Sequence, residues 1–182
     1  MIRSGLFALM FLALAVPASA KVYRDRSVAM TTVQDLEVER YLGLWYEIAR
    51  FPNRFEKGCV GVTAEYGLLE DGQISVTNTC REETLNGQVR QAEGKARIEG
   101  PGQLSVTFVP WLPFARGDYW VLGLRADYSV AVVGAPRGST GWILARTPEI
   151  SAADRNWAES VLQKNGYDTG QLTYIPQVEI AE

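Results

Sequence analysis

The chain has 182 residues, of which 18 are basic and 21 acidic, for a formal net charge of −3. Its basic residues are scattered, so neither nucleic acid nor an anionic lipid surface is expected as a partner. It contains no histidine, which removes the commonest general base, the commonest zinc ligand and the usual haem ligand, and we expect no metal site, cofactor or catalytic residue.

The first twenty residues are typical of an export signal. Arg3 gives a positive start, residues 6–16 form an apolar run, and Ala18-Ser19-Ala20 is a small-residue cleavage site. The run is too short to cross a bilayer. The first cysteine, Cys59, lies too far along the chain to carry a lipid anchor. We therefore expect one soluble domain over residues 21–182, exported to a periplasm or secreted.

Most of the chain after residue 42 consists of short segments separated by turns that contain glycine. Before them, residues 35–42 predict one or two helical turns that end at Gly43. Eight segments are rich in β-branched and aromatic residues, as strands are: 43–51, 60–66, 74–78, 91–98, 104–109, 119–124, 130–133 and 142–146. Eight successive strands with short connections predict an all-β fold, an up-and-down antiparallel barrel rather than a parallel α/β sheet.

One clear helix follows the strands. Ser151 is a good N-cap with Asp154 at the third helical position, and Gly166 supplies the stop. Apolar residues repeat at helical spacing and predict a stripe that packs on the outside of the barrel: Ala153, Trp157, Ala158, Val161 and Leu162. Residues 172–175 predict a short ninth strand, and Pro176 argues against further pairing.

Three short motifs occur in order along these elements: Gly43-Leu44-Trp45, then Asp127-Tyr128 preceded by Ala126, then Arg146. In this they resemble the signatures of the lipocalin family, with Ala126 in place of the usual threonine. The flanking residues look like the branch that contains bacterial lipocalins and apolipoprotein D. The resemblance implies that Trp45 closes one end of the barrel and that Arg146 lies across its ring, both in structural rather than catalytic roles.

An eight-stranded barrel either fills its interior with its own side chains or holds one small ligand. Strand 91–98 alternates small residues with polar ones, which favours a space for a ligand. The same alternation predicts an inner face on four strands, lined by Val62, Ala64, Tyr66, Val76, Asn78, Ala92, Gly94, Ala96, Trp142 and Leu144. Ile98 falls on that face as well.

Periodicity does not choose an inner face for strand 119–124, because this strand is apolar nearly throughout. Either Trp120 and Leu122 or Tyr119 and Val121 could point inward. The family resemblance implies that Trp120, and with it Leu122, lines the cavity. The alternative for Trp120 and Trp142 is that they are ordinary barrel core.

Two cysteines in an exported protein favour a disulfide. Cys59 precedes the second strand and Cys80 ends the third, so antiparallel pairing brings them together at the barrel mouth. The bridge would close a loop of about twenty residues. The register relative to the turn at Asp71-Gly72 predicts a bulge near this pair.

Two loops are expected at the barrel mouth. Arg50, Arg54 and Lys57 lie in or beside residues 51–57, where they could meet a ligand head group. The connection 110–117 is unusually apolar, and its Trp111, Leu112 and Phe114 indicate a lipid-entry lip, a transient membrane contact or a homodimer contact. It could equally fold back over the helix as packing.

The function expected from these features is non-enzymatic binding and transport or storage of a small hydrophobic ligand, such as a fatty acid or lysophospholipid. Two alternatives stay open: an enzyme that modifies a lipid or isoprenoid, with Glu47 and Asp127 as its acids or bases, and a binder of a tetrapyrrole or other pigment.

Overall fold

The computed structural model describes residues 21–112 and 114–178; the predicted export signal lies outside them. Its eight barrel strands are β1 (Gly43–Arg50), β2 (Cys59–Leu68), β3 (Ile74–Glu82), β4 (Val89–Gly100), β5 (Gln103–Thr107), β6 (Gly117–Leu124), β7 (Val130–Gly134) and β8 (Gly141–Ala145). Each strand pairs antiparallel with the next, and β8 pairs with β1 to close the barrel. The predicted antiparallel barrel is confirmed.

The barrel has a closed end and an open end. Helix α1 (Val38–Tyr41) leads into β1 at the closed end, and the turns 69–73, 101–102 and 125–129 lie at the same end. Gly43 has a φ of +86°, a conformation that glycine adopts without strain, and it turns the chain from α1 into the strand. The open end carries four longer loops: 51–58, 83–88, 108–116 and 135–140.

Bulges interrupt four strands and change which side chains face inward. The β4 bulge lies between Ile98 and Gly100, near the closed end. The β2 bulge lies between Val60 and Thr63, next to Cys59, as the sequence predicts. The β1 bulge lies between Glu47 and Ala49, and the β6 bulge between Val121 and Gly123. An extra residue breaks the strict two-residue alternation, so counting every second residue across a bulge assigns side chains to the wrong face.

Helix α2 (Ala152–Lys164) packs against the outer faces of β6 and β7, as its apolar stripe predicts. The Ser151 hydroxyl accepts a hydrogen bond from the Asp154 backbone N–H at 3.0 Å, which caps the helix. Gly123, at the β6 bulge, leaves room for the side chains of Val161 and Trp157. Among the described residues, no helix combines the length and apolar character needed to cross a bilayer.

Strand β9 (Thr173–Tyr174) pairs with the end of β1, outside the closed barrel, as predicted. The chain that follows bonds to both β1 and β2. Ile175 N–H donates to the Ile48 carbonyl, and the Gln177 side-chain amide donates to the carbonyls of Glu47 and Val62. This segment therefore ties β1 to β2 beyond the residues that pair directly.

Candidate ligand-binding site

Trp45 and Arg146 seal the closed end. The Trp45 side chain is completely buried, and its indole N–H donates to the Tyr41 carbonyl at 2.8 Å. The Arg146 guanidinium lies 3.8 Å from the centre of the indole ring. It also donates to three backbone carbonyls of the chain that enters the barrel, those of Arg40, Leu42 and Leu44. The predicted placement of the pair is confirmed.

The turn that contains Asp127 and Tyr128 supports the same end from outside. The Asp127 carboxylate accepts hydrogen bonds from the backbone N–H and hydroxyl of Ser129. The Tyr128 hydroxyl accepts from the backbone N–H of Glu37, and the Arg40 guanidinium lies 4.0 Å from the Tyr128 ring centre. These contacts give Asp127 and Tyr128 structural roles.

Three tyrosine hydroxyls meet above the tryptophan. The Tyr119 hydroxyl lies 2.8 Å from that of Tyr41 and 3.0 Å from that of Tyr66. Burial raises the pKa of Tyr66 to about 12, and a hydrogen bond with Tyr119 opposes that rise. Burial likewise raises the pKa of Tyr41 and of Tyr119. All three are therefore neutral hydroxyls at physiological pH.

Beside the tyrosines is a small apolar cavity of about 20 Å³. It lies between the chain around α1 and the barrel wall, and its lining includes Leu36, Val38, Ile74, Leu104 and Val106. A single water needs roughly 10 to 15 Å³ measured in this way. This cavity therefore has room for about one water, and a lipid chain that entered it would have to displace some of the lining side chains.

A charged cluster lies inside the barrel above this level. Glu47 shares the inner face of β1 with Trp45, and the bulge that follows keeps Arg50 on that face as well. Glu47 Oε1 lies 2.6 Å from Arg50 Nη1, and both side chains are buried. Glu56 folds in from the loop 51–58, and its carboxylate accepts a hydrogen bond from the Trp142 indole N–H at 3.2 Å.

Burial raises the pKa of the Glu47 carboxyl well above its usual value. The neighbouring Glu56 carboxylate raises it further, whereas the Arg50 guanidinium opposes the rise. One cation thus sits between two acids in a place from which water is largely removed. We conclude that burial and Glu56 outweigh Arg50, and that Glu47 holds its proton to a higher pH than a solvent-exposed glutamate.

The sequence interpretation missed this cluster. It considered Glu47 only as an acid or base of the alternative enzyme, without a partner. The sequence could have placed Glu47 inside the barrel, because it lies two residues after Trp45 and strand alternation puts both side chains on one face. Arg50 was expected near the mouth, free to meet a head group. Its donors are instead engaged by Glu47 and by the carbonyls of Glu56 and Cys59.

Most of the predicted lining does share the inner face. The buried inner cluster, built around Trp45, contains Tyr66, Val76, Ala96 and Leu144, and Ala64 and Trp142 pack against it. Higher on the same strands, Asn78 is opposite Ala92, and Ala92 is exposed. Gly94 leaves space that the Phe108 ring occupies. Ile98 is 51% exposed at the closed end of β4.

Trp120 and Leu122 do not line the interior, so that prediction is wrong. They pack in the outer cluster with Ala158 and Leu162 of helix α2, whereas Tyr119 and Val121 belong to the inner cluster. The physical reason is that β6 is covered on both faces, by the barrel interior and by the helix. Both faces are apolar, so the residue types carry no information about direction.

Val62 packs with the two cysteines and with Ile175, in a cluster separate from the one around Trp45. Its place in the ligand lining stays a prediction. The predicted Cys59–Cys80 disulfide is present and joins β2 to β3 at the open end.

Comparison with known proteins agrees with this architecture. A family model described as "Lipocalin-like domain" matches residues 36–177. The outer membrane lipoprotein Blc of Escherichia coli (strain K12) is 36% identical over 148 residues, which cover 81% of this chain and 83% of Blc. Apolipoprotein D of Mus musculus is 32% identical over 154 residues, which cover 79% of this chain and 78% of apolipoprotein D.

Solved structures share the fold at lower sequence identity. The crystal structure of Per a 4, a major allergen from cockroaches, superposes with a TM-score of 0.65 at 20% identity. The match covers 85% of this chain and 97% of the allergen.

Proposed function

This chain belongs to the lipocalin family, whose members bind small hydrophobic ligands, and we propose that it is a non-enzymatic carrier or store of lipids such as fatty acids or lysophospholipids. We propose further that it acts after export, in a periplasm or outside the cell. The observation that carries the proposal is an inner wall sealed at its base by Trp45 and lined toward the mouth by small side chains. Ala64 and Ala92, on that wall, both retain solvent exposure.

The distribution of polar groups supports entry with the hydrocarbon chain first. Arg54 and Lys57 are exposed on the loop 51–58, where they can meet a carboxylate or phosphate that remains in water. Deeper in the barrel the guanidinium beside Glu47, that of Arg50, is already engaged. A buried ligand carboxylate would need a free cation of its own. We therefore place the head group at the mouth.

A fluorescence titration tests the proposal. Oleic acid and lysophosphatidylcholine should each change the tryptophan emission in a saturable way, with a large contribution from Trp142 at the inner wall. Trp142→Phe should remove most of that change. Trp120→Phe is the matched control, because Trp120 packs outside under the helix and its replacement should leave the change intact.

A pair of adjacent substitutions locates the ligand. Ala92→Phe would place a ring on the inner face of β4 and should weaken binding at least about tenfold, as expected when a bulky group occupies ligand space. Glu93→Phe adds the same ring on the opposite face and should not. Absence of saturable binding with any lipid, or equal losses in both variants, would contradict the proposal.

One observation favours a second candidate, an enzyme that acts on a lipid or isoprenoid. Glu47 is a buried acid with a raised pKa inside the barrel, a property that general acids share. Asp127 gives no such support, because it lies in an exposed turn at the closed end. Turnover that is lost in Glu47→Gln and kept in Asp127→Asn would establish the enzyme.

A further inference from the structure

Large apolar side chains project from the open end. Phe55 is 70% exposed on the loop 51–58, and Trp111 and Phe114 are 74% and 83% exposed on the loop 108–116. Leu112, in the second loop, is 38% exposed. We call these four residues the mouth lip. The interpretation that this loop folds back over helix α2 is wrong, because these side chains are open to solvent and α2 packs on β6 and β7.

Charge is segregated between the two ends of the barrel. The open-end loops carry four basic residues and two acidic ones: Arg54, Lys57, Arg116 and Arg137 against Glu56 and Glu83. Glu56 is directed inward to Trp142, so it offsets little of this charge outside. The closed-end loops and the chain around α1 carry seven acidic residues and three basic ones: Asp35, Glu37, Glu39, Glu70, Asp71, Asp127 and Glu149 against Arg40, Arg125 and Arg146.

The cations stand directly beside the apolar lip. Arg54 and Phe55 are adjacent, and the Arg54 guanidinium lies 4.8 Å from the Phe55 ring centre. Lys57 follows two residues later and is exposed. Exposed aromatic side chains flanked by cations have the composition that binds the interface of a membrane with anionic lipids. The net charge of −3 hides this surface, because the acidic residues lie mostly elsewhere.

We propose that the mouth lip docks the open end of the barrel on a bilayer that contains anionic lipids. The apolar side chains enter the head-group region, the basic side chains contact lipid phosphates, and the acidic closed end is directed away from the membrane. A second copy of the chain fits this surface less well, since a symmetric contact would bring the same cations together. Docking goes beyond ligand binding and would let a lipid move between bilayer and barrel with little exposure to water.

Vesicle co-sedimentation tests the docking independently of ligand binding. The protein should bind vesicles that contain phosphatidylglycerol, bind phosphatidylcholine vesicles weakly, and dissociate as salt is raised. Arg54→Gln with Lys57→Gln should weaken binding about twenty-fivefold, at about fivefold for each charge. Trp111→Ser with Phe114→Ser should weaken it at least about tenfold.

Matched controls lie at the other end of the barrel. Leu68 and Ile98 are 57% and 51% exposed at the closed end, so Leu68→Ser with Ile98→Ser removes apolar surface without touching the lip. This variant should bind vesicles like the unaltered protein. Failure of the unaltered protein to bind anionic vesicles would overturn the proposal, as would equal binding by the lip variant. A concentration-dependent dimer that the lip substitutions disperse, without vesicle binding, would assign the surface to a second copy instead.

The ligand titration separates this proposal from the proposed function. If the unaltered protein binds lysophosphatidylcholine monomers saturably but does not bind anionic vesicles, it has a ligand site without membrane docking. Vesicle binding with no saturable ligand signal would show the reverse.

Discussion

The Arg146 guanidinium lies over the Trp45 indole, with 3.8 Å between its central carbon and the ring centre. The same guanidinium donates 2.6 Å and 2.8 Å hydrogen bonds to the carbonyls of Leu44 and Leu42. One side chain thus holds both the tryptophan and the backbone that carries it. This arrangement closes the barrel at that end.

Trp45→Ala should lower the free energy of unfolding by about 3 to 5 kcal/mol, because it empties a fully buried site. In a double-mutant cycle with Arg146→Ala, the coupling between the two side chains should be about 0.5 to 2 kcal/mol. Urea denaturation gives the free energies of unfolding of the unaltered protein, the two single variants and the double variant. Arg40→Ala is the control, since Arg40 stacks on Tyr128 at the surface and is exposed. A Trp45→Ala loss no larger than that of Arg40→Ala would show that Trp45 does not close the barrel.

Glu47 should make stability depend on pH. Its pKa is raised in the folded protein, so above the unfolded value of about 4.5 the folded state binds more protons than the unfolded state. The free energy of unfolding should therefore fall as the pH rises upward from that value toward the folded pKa. Glu47→Gln should flatten this fall, as measured by urea denaturation across the range. Glu93→Gln, on the exposed outer face, should keep the slope of the unaltered protein; parallel profiles for all three proteins would contradict the assignment.

The Cys59–Cys80 disulfide closes a loop with a sequence separation of 21 residues. Its reduction should lower the free energy of unfolding by about 3 kcal/mol, mainly because the unfolded chain gains freedom. Denaturation with and without dithiothreitol measures the effect. The double variant Cys59→Ala with Cys80→Ala should unfold at one denaturant concentration under both conditions. A reductant effect that persists in the double variant would have another origin.

Helix docking should depend on Gly123. A β-carbon there would lie 3.0 Å from a Val161 methyl carbon, closer than ordinary packing allows. Gly123→Ala should therefore cost about 1 to 3 kcal/mol, and Val161→Ala in the same chain should recover part of it. Thermal denaturation would report both effects. Gly117→Ala is the control, because a β-carbon there would meet nothing within 4 Å; equal losses at both glycines would rule out a specific clash with the helix.

Elements whose two faces differ chemically could be predicted from the sequence. Helix α2 has an apolar stripe and a polar face, and both its position and its capping by Ser151 agree with expectation. Strand β4 has small residues on one side and charged residues on the other, and Ala96 lies in the inner cluster as predicted. Strand β6 has no such contrast, and there the expectation for Trp120 failed.

The amino-acid sequence by itself determined the barrel and the helix outside it, because both depend on local patterning, and it placed the two cysteines where antiparallel pairing joins them. The Trp45 and Arg146 closure followed from the resemblance of three short motifs to the lipocalin signatures. Only the tertiary structure decided that Glu56 enters the barrel to meet Trp142, and that cations collect beside the mouth lip. The first relationship joins a loop to a distant strand. The second depends on the charges of several loops that are far apart in the chain. Side-chain alternation carries no information about either, since bulges interrupt it and loops do not follow it.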